Sequence, residues 1–556
     1  MRSRHGREAF LIAGEGVRRI GNDGEAEVVQ ASALQATVQF RFSRFTGVKS
    51  ATPNSTNVLM KLAVAMSEPG GSVDPTVPAG YTYLGQFIDH DLTLDESELD
   101  LGKAILVEDL VSKRSPSLDL DSLYGDGPVK SPQYYEPDGV HLKRGRPLAT
   151  GGSGAAAQDG MDLPRHRGGA GPRRGTEREA NIPDIRNDEN LAVAQIHVAF
   201  IRFHNRVVDT LIAQNTPSSV LFDRARELVT KHYQWLIVND YLPRIAEPSI
   251  VSEVFLNGRK HFEVNGQADA TMPVEFSGAA FRLGHSQIRV GYQWNKIFNR
   301  ERGAEDPLFS GHLFRLFRFS GTSGNMSPSS AIPASPQDLA DLEHPQNPGV
   351  ELPDVWVADY TRLFDFSGFD GIPPTPPADF NNAMAIDAHV VEPLKILPIG
   401  SFGGVGEPDL VMKRSLAFRN LARGRMLALP SGQQLADALQ IGSVLTAEQI
   451  LDGNGGPKLS VDLISGDQRT EAGSNTPLWF YILREAEWNQ QHKNKLGPVG
   501  ATVVAETFHR AIEKSHHSIL ADRSWKPSFG AGDRFNMADL LFFAFEGKPE
   551  LLNPHG

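Results

Sequence analysis

Apolar side chains return at helical spacing in several stretches of this chain and alternate in almost none. From Ala194 to Ala213, Ile196, Phe200, Phe203, Val207 and Leu211 recur every three or four positions, which predicts a helix with one face in a core. Shorter stretches of the same kind run from Tyr81 to His90, from Phe276 to Ile288 and from Leu416 to Leu427. A later one starts beyond Leu496-Gly-Pro-Val-Gly500 and reads Thr502 to Ile512. With so little strand alternation, the fold class is mainly α.

Gly-rich Thr150 to Gly175 and Pro-rich Ser327 to Pro353 predict long surface loops. Neither has the length of an interdomain linker, and no internal repeat appears. The chain therefore reads as one large domain over 1–556, with an N-terminal extension at 1–50 and loop-like insertions near 141–180 and 321–355.

The 556 residues are 40% hydrophobic and 22% charged, enough to bury a core around a flat cofactor. A formal net charge of -12 argues against nucleic acid or an anionic membrane as the main partner. The chain has no cysteine, which excludes disulfides, thiolate metal sites, thiolate-ligated haem and cysteine nucleophiles. After the basic Met1-Arg-Ser-Arg-His-Gly-Arg-Glu, the apolar run from Ala9 is too short for a secretory leader, and no stretch reaches membrane-spanning length. The expectation is a soluble protein, cytoplasmic or exported by a non-classical route.

The densest chemistry lies in Gln86-Phe-Ile-Asp89-His90-Asp91. On a helix, Gln86, Asp89 and His90 share one face and Asp91 lies further round, so one element offers an imidazole and two carboxylates. The longer string Gly-Gln-Phe-Ile-Asp-His-Asp resembles the distal helix of the animal-type haem peroxidases, the peroxidase–cyclooxygenase superfamily. That resemblance implies a distal catalytic His90 with Gln86 beside it, a haem-esterifying Asp89 and a calcium-ligating Asp91.

Further family-like strings follow in order. Ser115-Pro-Ser117-Leu-Asp119-Leu-Asp121 resembles the calcium loop, with oxygen ligands at alternating positions as Ca²⁺ prefers. Asp184-Ile-Arg186-Asn-Asp-Glu189-Asn190 implies a distal catalytic Arg186 and a second ester-forming carboxylate, Glu189. Phe281-Arg282-Leu-Gly-His285 resembles the proximal segment, with His285 as axial iron ligand and Arg282 one turn earlier. Asn420-Leu-Ala-Arg423 implies an asparagine whose amide accepts from His285 Nδ1–H, and an arginine for a haem propionate.

The implied cofactors are haem b, ester-linked through Asp89 and Glu189, and Ca²⁺. The implied partners are hydrogen peroxide and a small organic or halide donor. Proton shuttling suits His90, and charge stabilisation suits Arg186. Two departures stand out. Asn190 occupies a position where some members carry Met, so a sulfonium bond to haem is not available. The C-terminal part also agrees less closely, which together with the missing cysteines suggests a bacterial branch.

Two readings stay beside the peroxidase. One is a fatty-acid dioxygenase of the same fold, whose radical-forming tyrosine would stand where Arg282 does. The other is an inactive peroxidase-fold binding protein. Glu506-Thr-Phe-His509 and Glu513-Lys-Ser-His516 have di-iron spacing, but they lie too close on one helix and read as a solvated face. His197 and His204 read as structural, and His516-His517 as exposed.

Overall fold

Residues Gly80–Leu92 form a helix whose neighbours decide where its polar face can point. A computed structural model describes residues 9–12, 16–20, 26–28, 40–45, 47, 53–94, 106–107, 110–112, 114–166, 180–264, 270–306, 309–318, 320, 351–395, 397, 414–489, 492–530 and 532–556. Most of the N-terminal extension at 1–50, and residues 167–179 and 321–350 of the two insertions, lie outside the described residues.

The main helices are α1 (Thr56–Met66), α2 (Gly80–Leu92), α3 (Leu191–Ala213), α4 (Leu221–Leu236), α5 (Leu416–Met426), α6 (Leu478–Trp488), α7 (Pro498–Glu513) and α8 (Met537–Ala544). Strands are short. Ala9–Ile12, Gly16–Ile20 and Ala26–Val28 pair as an antiparallel meander. Phe40–Ser43 lies between Val111–Ser112 and Met272–Pro273, and Val73–Pro78 pairs with Asn382–Met384. The fold is mainly α, as the sequence predicts.

Helix α3 is the axis of the core. Its residues from Leu191 to Asn205 are buried on every face, which its periodicity alone did not predict. It packs against α2, α4 and α8, and Phe87 of α2 stacks on Phe200 with ring centroids 4.6 Å apart. The helix starts earlier than the apolar repeat because Asn190 accepts from Val193 N–H at 2.9 Å and so caps the first turn. Helix α7 likewise begins at Pro498, where the Glu485 carboxylate accepts from Val499 and Gly500 N–H at 3.1 and 3.2 Å.

The stretch from Phe276 to Ile288 differs from its expected helix. A short turn, Val274–Gly278, is broken at Ala279 and followed by the 3-10 turn Ala280–His285. With three residues per turn, Arg282 and His285 project on the same side. The described part of the first insertion is anchored rather than loose. Arg165 pairs with Asp162 at 2.8 Å and with buried Asp188 at 2.7 Å, tying it to the segment before α3. Among the described residues, no helix is long and apolar enough to cross a membrane.

Two glycines let α2 approach its neighbours. A Cβ on Gly85 would lie 2.3 Å from Tyr241 Oη, and one on Gly80 would lie 2.3 Å from the Phe364 ring. The phenyl ring is buried and meets Tyr81 edge-on, so Gly80→Ala is expected to destabilise the fold by about 1–3 kcal/mol through overpacking. Urea denaturation checks this, and an unchanged midpoint would show that the ring is free to shift.

Candidate active site

Helix α2 carries Gln86, Asp89 and His90 to one region, and the 3-10 turn Ile185–Asp188 brings Arg186, Asn187 and Glu189 against it. His90 is 0% exposed. Its Nδ1 lies 2.9 Å from Asn187 Oδ1, an acceptor, so Nδ1 carries the proton and Nε2 keeps its lone pair. Nε2 is buried without a hydrogen-bond partner and sits 3.8 Å from Glu189 Oε1. Burial, then the nearby Arg186 cation, lowers the His90 pKa to about 3, so the ring is neutral at ordinary pH.

Glu189 shows the opposite shift. Burial outweighs the attraction of Arg186 and raises its pKa to about 8. Gln86 Nε2 donates to Glu189 Oε1, and Gln86 Oε1 accepts from Asn190 Nδ2 at 3.1 Å. Glu189 Oε2 is buried with no partner. Asp89, partly exposed on the same helix, is also shifted upward by burial, against the pull of Arg186 and Arg282.

Arg186 is placed differently from its expected open posture over a cofactor. Its Nε donates to Asp184 Oδ1 at 3.0 Å and its Nη2 to Asp184 Oδ2 at 2.7 Å. Nη2 also donates to the carbonyls of His90 and Thr93, at 3.0 and 2.5 Å. The guanidinium thus satisfies carbonyls that the end of α2 leaves without helical partners. Arg114 grips the same Asp184 through Nε and Nη2, at 3.0 and 2.9 Å. The Arg186 charge is thus paired with Asp184.

On the other side, His285 is partly exposed and Asn420 of α5 faces it. Arg282 Nη1 donates to Asn420 Oδ1 at 2.7 Å, and Asn420 Nδ2 lies 2.7 Å from His285 Nδ1. The amide is therefore turned the opposite way from the expected one, with nitrogen rather than oxygen toward the ring. Arg282 Nε holds the Ser277 carbonyl at 2.9 Å, and Trp479 Nε1 donates to the Arg282 carbonyl at 3.2 Å. Burial, then Arg282, lowers the His285 pKa to about 3. Arg423 lies one turn beyond Asn420 and is buried.

The calcium candidates come near one another without converging. Asp91 accepts from Leu120 and Ser122 N–H, both at 3.2 Å. Asp119 accepts from Ser515 Oγ at 2.7 Å and His516 N–H at 3.0 Å. Asp121 takes the Ser115 N–H, and the Ser117 carbonyl accepts from Asp119 N–H at 3.0 Å. Burial and the neighbouring carboxylates raise Asp91 to about 7 and Asp121 to about 6. Among the described residues, no group of three or more His, Asp or Glu side chains is arranged to hold a metal ion.

Several side chains depart from the sequence reading or escaped it. Glu506 and His509 are buried, not solvated. Glu506 accepts the N–H groups of Lys260, His261 and Phe262 at 2.8, 2.9 and 2.7 Å, and His509 meets Arg259, so they hold a loop. His204 is structural, between Tyr124 Oη at 3.0 Å and the Val140 carbonyl at 2.9 Å. His197 is fully buried edge-on to Phe87, with neither ring nitrogen hydrogen-bonded. His516 is exposed and His517 half-buried.

Asn187, which sets the His90 tautomer, lay inside a quoted string without a role. Tyr241 was missed altogether. It ends the π-helical turn Ile237–Tyr241, sits over Gly85 and within electrostatic reach of Asp89, and meets Phe281 edge-on at 6.3 Å. Only the packing reveals it, because a π turn shifts the helical register by one residue.

Residues 107–326 match the family described as animal haem peroxidase. The chain is 25% identical to heme peroxidase 2 of Caenorhabditis elegans over 163 residues, 28% of this chain and 23% of that protein. It thus spans under a quarter of that relative's length. Peroxidase A of Dictyostelium discoideum shares the fold with a TM-score of 0.54 at 15% identity, covering 90% of this chain and 93% of that one. Oryza sativa fatty acid alpha-dioxygenase with palmitic acid superposes with a TM-score of 0.51 at 11% identity, covering 97% and 85%. Residues 107–326 thus resemble the animal haem peroxidases, and the chain shares its helical fold with a peroxidase of known structure.

Proposed function

We propose that the chain is one catalytic domain that binds haem b, reduces hydrogen peroxide and oxidises small organic or halide donors. The observation that carries this reading is Asp89. Its carboxylate feels both Arg186, beside His90, and Arg282, beside His285, and the helix bearing His90 packs against the 3-10 turn bearing His285. The donor set suits haem: an imidazole at 285, carboxylate oxygens at 89 and 189, and guanidinium groups at 282 and 423. His285 would hold the iron, Asp89 and Glu189 would form ester links, and Asn420 and Arg423 would support the proximal side. Haem, when bound, supplies the iron at which peroxide is cleaved and the capacity to oxidise a donor.

The chain's own residues then have distinct tasks. His90 Nε2 takes a proton from peroxide and returns it to the leaving oxygen, a shuttle open only to a neutral imidazole with a bare nitrogen. Asn187 keeps that tautomer in place. Until it is esterified, Glu189 would steady the imidazolium from 3.8 Å once ionised, and Gln86 holds Glu189 where it is. Arg186 remains cationic but acts from behind His90, its field opposing premature protonation of the ring. The dioxygenase reading lacks its tyrosine, because Arg282 stands at that position.

Calcium is proposed at Asp91, Ser115, Ser117, Asp119 and Asp121. Its support is the crowding of three carboxylates and the partnerless buried Ser122 Oγ beside Asp91. Ser515 and His516 both hold Asp119 through Oδ1. Residues 1–50 contribute nothing to this reading, and a bacterial branch and a non-membrane location are proposed from the sequence alone.

His285→Ala is expected to abolish the Soret band of hemin-loaded protein, whereas His90→Leu keeps the band and slows reaction with peroxide by about 10²–10⁴-fold. Because only the neutral ring accepts a proton, the His90 contribution to the wild-type rate falls only as pH drops toward 3. Stopped-flow spectra from pH 4 to 8 check it, and a decline set near pH 6.5 would mean an unperturbed imidazole instead. After turnover with peroxide, acid–butanone should leave haem on the wild type but extract it from an Asp89→Asn, Glu189→Gln double variant. Complete extraction from the wild type would end the ester proposal. Elemental analysis after chelator-free purification should find calcium stoichiometric with the chain, and its absence would remove the calcium site.

A further inference from the structure

Two buried phenols bridge the segments that carry the two histidines. Tyr83 lies on α2 seven residues before His90, on nearly the same face and about 10 Å away along the axis at 1.5 Å rise per residue. Tyr292 follows His285 by seven residues. The Tyr83 hydroxyl donates to Tyr292 Oη at 2.7 Å, and the same oxygen accepts the Arg289 N–H at 3.1 Å. Both tyrosines are 3% exposed. Burial holds both hydroxyls above the usual phenol range, so each keeps its proton at ordinary pH. The ring centroids are 5.8 Å apart with the planes at 61°. Rings meeting only tip to tip through their hydroxyls would have centroids further apart. These two are therefore folded toward one another, and the ring carbons beside the hydroxyls come close.

We infer that Tyr83 and Tyr292 form a site of oxidative modification, at which the two rings are joined by a carbon–carbon bond between the positions ortho to their hydroxyls. Hydrogen peroxide consumed without a donor supplies the oxidising equivalents, and that source rests on the haem reading given above. The placement of the pair does not. Each phenol gives up one electron and its hydroxyl proton, leaving a radical shared between Oη and the ortho carbons. The two radicals couple through those carbons, and the ring protons displaced there return to the oxygens. The pair thus loses two electrons and two protons in all, which are what one hydrogen peroxide needs to become two waters. The chain has no cysteine, so no thiol draws these equivalents away. Burial keeps other chains from the radicals and favours coupling within the molecule. The bond staples α2 to the segment that follows His285, and so fixes the spacing of the elements bearing the two histidines.

The test treats the full-length, hemin-loaded chain with a small excess of hydrogen peroxide and no donor. Peptide mapping by mass spectrometry should recover the peptides containing Tyr83 and Tyr292 as one species, lighter by two hydrogen atoms than their sum, with the fluorescence of dityrosine. Tyr83→Phe and Tyr292→Phe keep the ring shapes, and each should lose both signals while the Soret band still responds to peroxide. The wild-type map stands by itself if either variant does not fold. A second arm oxidises the chain without hemin by photogenerated tris(bipyridyl)ruthenium(III), and should join the same two peptides. A Soret band that responds to peroxide with these peptides unjoined would overturn the inference and leave the haem reading intact. So would links that join other tyrosines instead, or that survive in both variants. Joined peptides in the ruthenium arm with no Soret band in the other would leave the pair standing and sink the haem reading. Neither a Soret band nor a joined peptide would end both.

Discussion

Two guanidinium groups, those of Arg114 and Arg186, leave water together with the single carboxylate of Asp184 between them. Breaking such a buried pair by removing one partner typically costs about 3–5 kcal/mol, because the other charge is left uncompensated. The arrangement is tolerated here because every member has further bonds. Arg186 spends its remaining donor capacity on the carbonyls at the end of α2, and Arg114 holds the Pro183 and Asp121 carbonyls. One ion cluster thus fixes the end of the helix bearing His90, the segment bearing Glu189 and the acidic loop after residue 115. Asp184 is held far below the ordinary carboxylate range by its two cations, so the cluster stays ionised through acid conditions that would protonate a free carboxylate.

That cluster also sorts the protonation states around it. The positive excess behind His90 adds to burial in keeping the ring neutral, while burial prevails over the same cation at Glu189 and keeps its proton on near neutrality. Two titratable groups 3.8 Å apart are thereby pushed to opposite sides of their usual values. The outcome is a base with a bare nitrogen beside an acid, neither of which carries charge at rest. A charge created there in the course of a reaction would meet preorganised dipoles instead of water.

Much of this was legible before any fold was known. Periodicity located α2, α3, α5 and α7 to within a few residues, since the side chains that repeat are the ones that pack, but it passed over α1, α4 and α6. The ordered strings around His90, Glu189, His285 and Asn420 brought the right elements together, because local spacing survives folding. What escaped was whatever depended on partners distant in sequence. Arg186 was expected to face a cofactor, yet Asp184, Arg114 and two carbonyls claim it. Glu506 looked solvated because its helix face is polar, yet it grips three amides of a loop nearly 250 residues earlier. The orientation of the Asn420 amide depends on which neighbour is donor-only, which no spacing reveals. Tyr241 hid behind a π turn that puts its ring where regular helical counting would not.

Asn190 has a further consequence for how relatives can diverge. Its oxygen caps α3 and its nitrogen meets Gln86, so one short amide joins the start of the central helix to the helix bearing His90. A thioether in that place fills similar volume but offers neither a strong acceptor nor a donor. The Val193 amide and the Gln86 oxygen would both lose their partner. A chain that evolves sulfur chemistry at this position must therefore rebuild the beginning of this helix, which makes the exchange a concerted change of backbone and reactivity and not a point substitution.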